Sequence, residues 1–461
     1  MSDASTTSSP PVSSATQKIP PGPKGHWFWG SLQERRRDPL ALFTRGMRDH
    51  GDVVLYRMLI RDVVMVSDAE GVKHVLVDHA ARYPKATPMR KLGALLLGDG
   101  LLTAEGDHWK RQRRLAQPAF HKERLARLGG VMADATRLML DRWERRRQQG
   151  EPFDCAADFM ALTLSIVSRA LFSADVSADA AAVGRAITVA LEETNRRILS
   201  FVSAPTWLPT ARNREYREAV RVLDQVVFKI IDARRNGQST GADLLAMLME
   251  ARDEETGATM TDRQLRDEVM TLFLAGHETT ANALAWTVWL VAQHPEVEAK
   301  LRSELGQVLG GRVPEAQDVQ KLRYTSQVLD ESMRLYPPAW ITAREAQEPD
   351  EILGFHVPRH TIVAMSPYVI HRNPRYWPDP ERFDPDRFAP ERAHERPKHA
   401  FFPFGAGQRM CIGNNFALME GVLILAMLYQ RFTVKVVEGH PVVPLPRVTL
   451  RPQHGIRIQL A

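Results

Sequence analysis

The sequence predicts one mainly helical domain with small β-sheets at its edges. Three observations carry this. From about residue 105 to 345, apolar residues recur at helical spacing, and Gly and Pro are sparse within the helical runs. Short β-branched or aromatic runs lie on either side of that region. After residue 25 no Gly/Ser- or Pro-rich linker divides the chain, and no internal repeat is found. Length alone, 461 residues, would suggest two or three domains, and the missing linker decides for one.

The elements follow in chain order. Residues 1–18 are polar and Ser/Thr-rich and are expected to form a disordered tail, leaving 19–461 as the domain. The tail has no basic start followed by an apolar run, so neither a signal peptide nor a membrane anchor is expected. Ile19-Pro20-Pro21-Gly22-Pro23 is a stiff, extended lead into the fold. Strands are expected at 53–56 and 63–66, and again at 352–357, 362–364 and 448–460. The most definite helix begins at Thr261. Thr261 as N-cap and Gln264 three positions on form a capping box, and Pro295 stops the pattern after His294. At ~1.5 Å per residue this helix spans roughly 50 Å, and its apolar middle should cross the core.

Composition narrows the function. A net charge of +6 is small for this length and does not call for a nucleic-acid partner. Cys155 and Cys411 are the only cysteines, too few for a disulfide framework or a zinc cluster, and they fit a reducing, cytoplasmic setting. The apolar stretch 269–292 is interrupted by His277, Glu278, Thr279, Thr280 and Asn282, so it reads as a buried helix and not as a membrane span.

The strongest chemical signal runs from Phe404 to Gly413, as Phe404-Gly405-Ala406-Gly407-Gln408-Arg409-Met410-Cys411-Ile412-Gly413. Glycines on both sides of Cys411 allow a tight turn and close approach to a flat object. An apolar helix follows, so Cys411 sits just before a helix N-terminus, where free N–H groups favour a thiolate. No neighbouring His or second Cys completes a metal site. A lone thiolate then suggests a metal whose other positions come from a cofactor, such as haem iron; a buried, inert cysteine is the alternative, and for a lone cysteine taken by itself the commoner one. Cys155, in an apolar helical stretch, is read as buried and inert.

Midway along the long helix stands Ala275-Gly276-His277-Glu278-Thr279-Thr280. A carboxylate and two hydroxyls in an apolar helix are costly unless partnered or used. Thr279 can bond back to Ala275 or Gly276 and open a groove; ordinary helix packing is the alternative. Glu331 and Arg334 lie three apart on one helix face, with Pro380-Glu381-Arg382-Phe383 as a companion. Trp109 and Arg113 lie one turn apart in a basic helix that also carries Lys110, Arg111 and Arg114.

Phe404, Gly407, Arg409, Cys411 and Gly413 match the cysteine-loop motif of the cytochrome P450 family, and the other motifs follow the family's order. The chain therefore resembles a soluble, bacterial-type cytochrome P450 over nearly its whole length. That resemblance implies the family's single-domain fold, with haem b (iron protoporphyrin IX) between the long helix and the cysteine loop. It implies Cys411 as axial iron ligand and Phe404 packed beside its sulfur. Trp109, Arg113, Arg409 and Arg344 would serve the haem propionates, with Gly407 and Gly413 shaping the cofactor loop. Glu278 and Thr279 resemble the acid–alcohol pair that manages proton delivery to oxygen, a pair that fatty-acid peroxygenases of the superfamily lack. Glu331, Arg334 and Arg382 would form a structural network beneath the loop.

The substrate pocket is expected from Leu95, Leu96, Phe273, Ala275, Trp340, Ile341 and Leu450. Its composition points to a hydrophobic substrate, with fatty acid, terpenoid, steroid and polyketide all open. No dinucleotide fingerprint is evident, so electrons from NAD(P)H would arrive through separate proteins, a ferredoxin or flavodoxin with its reductase. The expected reaction is insertion of one oxygen atom of O2 by hydroxylation or epoxidation. A haem-thiolate isomerase or dehydratase without external electrons, or a non-catalytic haem sensor, are the alternatives.

Overall fold

The computed structural model describes residues 18–59, 61–173, 180–199, 205–237, 243–252, 257 and 259–461. The tail expected at 1–18 lies outside the described residues except for Lys18. That residue is already tied into the fold: its carbonyl accepts the His356 N–H at 2.9 Å, and its ammonium lies 4.4 Å from the Phe355 ring centroid.

The long helix runs Asp262–Val291 and crosses the core. Both halves of its capping box form. The Gln264 N–H donates to Thr261 Oγ1 at 3.3 Å, and the Thr261 N–H donates to Gln264 Oε1 at 2.8 Å. It ends at Val291, three residues short of His294, because Pro295 is the first residue of the next helix, Pro295–Leu309. Helices Cys155–Phe172, Arg323–Leu335 and Asn414–Arg431 pack around it into one apolar core. Cys155–Phe172 is long and apolar enough to cross a membrane, yet most of it is buried against the other helices. Trp286 is fully buried; it stacks on Tyr336 with ring centroids 4.2 Å apart, and its Nε1–H donates to Leu450 O at 3.0 Å.

Beside the helical core lies a four-stranded sheet in the order Val53–Met58, Arg61–Val66, Ile362–Met365, Thr342–Glu345. The first two strands form an antiparallel hairpin; the second pairs in parallel with Ile362–Met365. The stretch expected as one strand at 448–460 splits. Leu450–Pro452 pairs with Pro444–Pro446, and Arg457–Leu460 joins a separate sheet with Phe153–Asp154 and Val434–Val436. Gly455, at φ +66°, turns the chain between them.

Candidate active site

Cys411 lies two residues before Gly413, the N-cap of the helix Asn414–Arg431. The loop is closed by the Cys411 N–H donating to Phe404 O at 2.9 Å and the Met410 N–H donating to Gly407 O at 3.1 Å. Gly407 has φ +66°, and any Cβ there would collide with the Leu76 carbonyl, so the position demands glycine. Gly413 does not follow that argument. Its φ is −90° and an added Cβ would meet Phe120 at an ordinary 3.8 Å. Its contribution is an N–H bonded to the cysteine. Burial pushes the Cys411 thiol up; the Gly413 N–H and the Arg113 charge oppose that. Cys411 keeps an open surface although protein encloses it on most sides, which places it at the floor of a recess. Cys155 is fully buried, and burial raises its thiol far above the usual range, as befits an inert core residue.

Cations gather beside this loop. Arg113 donates to Met410 O at 2.8 Å. Arg409 donates to Ala104 O at 2.9 Å, pairs with Glu105, and lies 3.8 Å from the Trp109 ring centroid. Arg344 bonds Thr342 Oγ1 and Ala343 O, each at 3.0 Å. Lys85 completes the group: its N–H donates to Glu105 Oε1 at 3.1 Å and its ammonium to Leu102 O. Burial, then repulsion from Arg409 and Arg344, lowers Lys85 to about 7. Burial, then Arg409, lowers Arg344 to about 10. Lys85, Arg344 and Arg409 share Glu105 as their carboxylate, so the cluster is short of negative charge and suited to anionic groups.

On the long helix, Thr279 Oγ1 donates to Ala275 O at 2.9 Å and Thr280 Oγ1 to Gly276 O at 3.4 Å. From the other side, Thr163 Oγ1 donates to His277 O at 3.0 Å. A Cβ on Gly276 would come within 2.9 Å of Val167, so glycine lets the two helices close here. Ala275 is exposed and Thr279 partly so, in a helix otherwise buried on nearly every face. Glu278 is 6% exposed and accepts the Thr449 hydroxyl at 2.6 Å, while Asn282 Nδ2 donates to Thr449 Oγ1 at 3.1 Å. Burial raises the Glu278 carboxyl; Thr449 and the Arg451 charge moderate the rise.

Comparison with known proteins decides what this arrangement belongs to. The family profile "Cytochrome P450" matches residues 20–460. The chain belongs to the cytochrome P450 family. Among its relatives is cyclooctatin synthase of Streptomyces melanosporofaciens, 38% identical over 416 residues, covering 90% of this chain and 89% of the relative. Cyclooctat-9-en-7-ol 5-monooxygenase of the same organism is 35% identical, covering 87% and 86%. Pentalenene oxygenase of Streptomyces avermitilis is 32% identical, covering 94% of each. The crystal structure of the cytochrome P450DA heme domain superposes with a TM-score of 0.88 at 27% identity, covering 96% of this chain and 98% of that one. This P450 is accordingly a monooxygenase of mainly helical fold with small sheets, and the family implies haem. The residues present fit that group. A thiol stands at the floor of a recess, and beside its loop stand a buried Arg344 and a half-buried Lys85 short of counter-charge, as two propionates require.

The P450 corrects some expectations at residue level. Glu331 and Arg334 form a fully buried ion pair, Nε to Oε2 at 2.6 Å. The further guanidinium near Glu331 is that of Arg387, at 3.6 Å, and not that of Arg382. Arg382 is exposed and contributes only its carbonyl, which accepts from Arg334 Nη2 at 3.1 Å. Charge spacing could not separate two arginines five residues apart. Of the expected pocket residues, Ala275 and Leu95 are exposed and Ile341 is half-buried. Leu96, Phe273, Trp340 and Leu450 are buried within the apolar clusters; Trp340 also donates to Arg447 O at 2.8 Å. Apolar composition does not distinguish lining from core. Sequence reasoning missed Lys85 and Glu105, which stand in no recognisable pattern, and Thr449, the immediate neighbour of Leu450.

Proposed function

We propose that this monooxygenase hydroxylates or epoxidises a cyclic hydrocarbon or alcohol of terpenoid type. The relatives named for cyclooctat-9-en-7-ol and pentalenene support that substrate class. The observation that carries the reaction is a partly exposed threonine hydroxyl turned onto its own helix backbone, next to a buried carboxyl, in a helix otherwise buried on nearly every face. The Cys411 sulfur would hold haem, which would supply oxygen activation when bound. Lys85, Arg113, Arg344 and Arg409 would hold its propionates, with Trp109 as the aromatic plate under Arg409. Glu278, raised by burial, takes up protons more readily than a surface carboxyl and passes them toward Thr279. Thr279 and Ala275 keep accessible surface on the long helix, and Leu95 and Ile341 offer apolar surface to the substrate.

Electrons come from NAD(P)H through a ferredoxin or flavodoxin and its reductase, in a reducing, cytoplasmic setting consistent with two unpaired cysteines. Lys110, Arg111 and Arg114 contribute the basic surface that steers an acidic carrier.

The test is turnover of the haem-loaded protein with cyclic hydrocarbons and alcohols found by spectral titration. Product should require both O2 and reductant. Product formed without reductant, or none with any reductant, overturns the reading in favour of an isomerase or a sensor. Cys411→Ser should abolish the red-shifted carbonyl band of a thiolate ligand; an unchanged band would remove Cys411 from the iron.

A further inference from the structure

Asp267 and Glu268 stand side by side near the start of the long helix, both buried, at 5% and 1% exposure. Each accepts a backbone N–H from the segment 98–104. The Asp99 N–H donates to Asp267 Oδ2 at 2.9 Å, and the Leu101 N–H donates to Glu268 Oε2 at 3.1 Å. The segment is shaped for this contact. Gly98 has φ +61°, and a Cβ there would collide with the Asp267 carboxylate; one on Gly100 would collide with Thr271 Oγ1. Thr103 Oγ1 donates back to Gly98 O at 2.7 Å, so the turn is braced from within.

The other end of the segment reaches the cysteine loop. Leu101 packs in one cluster with Ala104, Trp109 and Ile412, the residue after the cysteine. Ala104 O accepts from Arg409 at 2.9 Å. The segment is therefore a strap tied to the long helix at one end and to the cysteine loop at the other.

The two carboxylates differ in cost. Asp267 is paired with Arg266 at 2.9 Å. Glu268 makes its bond to Leu101 while its other oxygen, Oε1, is buried without a hydrogen-bond partner. A half-satisfied buried carboxyl is an expensive way to hold a loop, and such cost is commonly retained where position matters.

We propose that Glu268 is a positioning residue that pins the 98–104 strap to the long helix and thereby limits how fast a hydrophobic molecule reaches and leaves the space above Cys411. This rests on the haem-pocket reading above, and the test separates the two. In the haem-loaded, full-length protein, Glu268→Ala should raise amide hydrogen exchange at Leu101 by ~tenfold or more, with the rest of the long helix little changed. The same variant should release 4-phenylimidazole, followed by its Soret shift, several-fold faster. Glu268→Gln keeps an acceptor oxygen and should stay within about threefold of the parent in both measurements. Unchanged protection at Leu101 in Glu268→Ala overturns the proposal. So does exchange that rises equally along the whole helix, release that stays at the parental rate, or a glutamine variant that behaves like alanine. A parent protein with no Soret band would instead defeat the haem reading, while the exchange measurement still decides whether Glu268 holds the strap.

Discussion

The Thr449 hydroxyl donates to the Glu278 carboxylate at 2.6 Å, across 171 residues of sequence. One hydrogen bond thus joins the centre of the long helix to the C-terminal strands, where Trp286 Nε1 makes a parallel tie to Leu450 O. Thr449 is one of the groups restraining the rise in the Glu278 pKa. Thr449→Val should raise it further, moving the acid limb of the pH–rate profile to higher pH. Loss of a buried partner should also cost about 1–3 kcal/mol of stability, read by denaturant titration.

Thr279→Ala should uncouple the reaction. The hydroxyl bonded to Ala275 O is partly exposed in a helix that is otherwise almost wholly buried. Without it, product should fall by about tenfold or more while reductant consumption falls far less, the difference appearing as hydrogen peroxide. Thr279→Ser should restore most of the coupling. Equal coupling in the alanine variant and the parent would remove Thr279 from proton delivery.

Lys85→Met should have opposite effects with and without haem. In the haem-free chain the ammonium is held down to about 7 by burial and by Arg409 and Arg344. A base with a depressed folded pKa binds fewer protons folded than unfolded. Stability should therefore rise with pH between about 7 and 10.5 in the parent, and Lys85→Met should flatten that rise. If Lys85 holds the propionates as proposed, the same change in the loaded protein removes one of their cations, so haem transfer to an acceptor protein should speed up by roughly five- to a hundred-fold.

Glu268 gives the reverse pH dependence. Burial raises its carboxyl from 4.5 to about 7, with the Leu101 N–H opposing and Asp267 adding repulsion. The folded state binds the extra proton, so this contribution is complete below about pH 4.5 and is lost as pH rises to 7. The stability difference between Glu268→Gln and the parent should change by a few kcal/mol across that window and level off above it. A constant difference from pH 5 to 8 would show that Glu268 does not titrate there.

Much of the frame was legible because it depends on local pattern. The capping box at Thr261 and Gln264, the strands around Val54 and Val64, and the helix after Cys411 are each encoded within a few residues. What stayed hidden depends on distant segments meeting. Arg387 rather than Arg382 approaches Glu331 because the turn at Pro385 aims the later side chain inward. Lys85 joins Arg344 because its backbone meets the strand Thr342–Glu345 in an isolated bridge. The burial of Phe273 and Leu96 could not be read from the sequence, because an apolar side chain is the same residue whether it is exposed or packed away. One signal was readable and went unused: Asp267-Glu268 sits directly before the apolar run that begins at Val269.

The parallel pairing of Arg61–Val66 with Ile362–Met365 sets a timetable for biosynthesis. At about 5–20 residues per second, the ribosome delivers the second strand roughly 15–60 s after the first. Throughout that interval the hairpin Val53–Met58 and Arg61–Val66 has one side without its native neighbour. The nascent chain must keep that ribbon from pairing with another molecule until nearly four-fifths of it has been translated, so slow translation or crowded ribosomes should depress the soluble yield of this protein more than that of one whose sheets close locally.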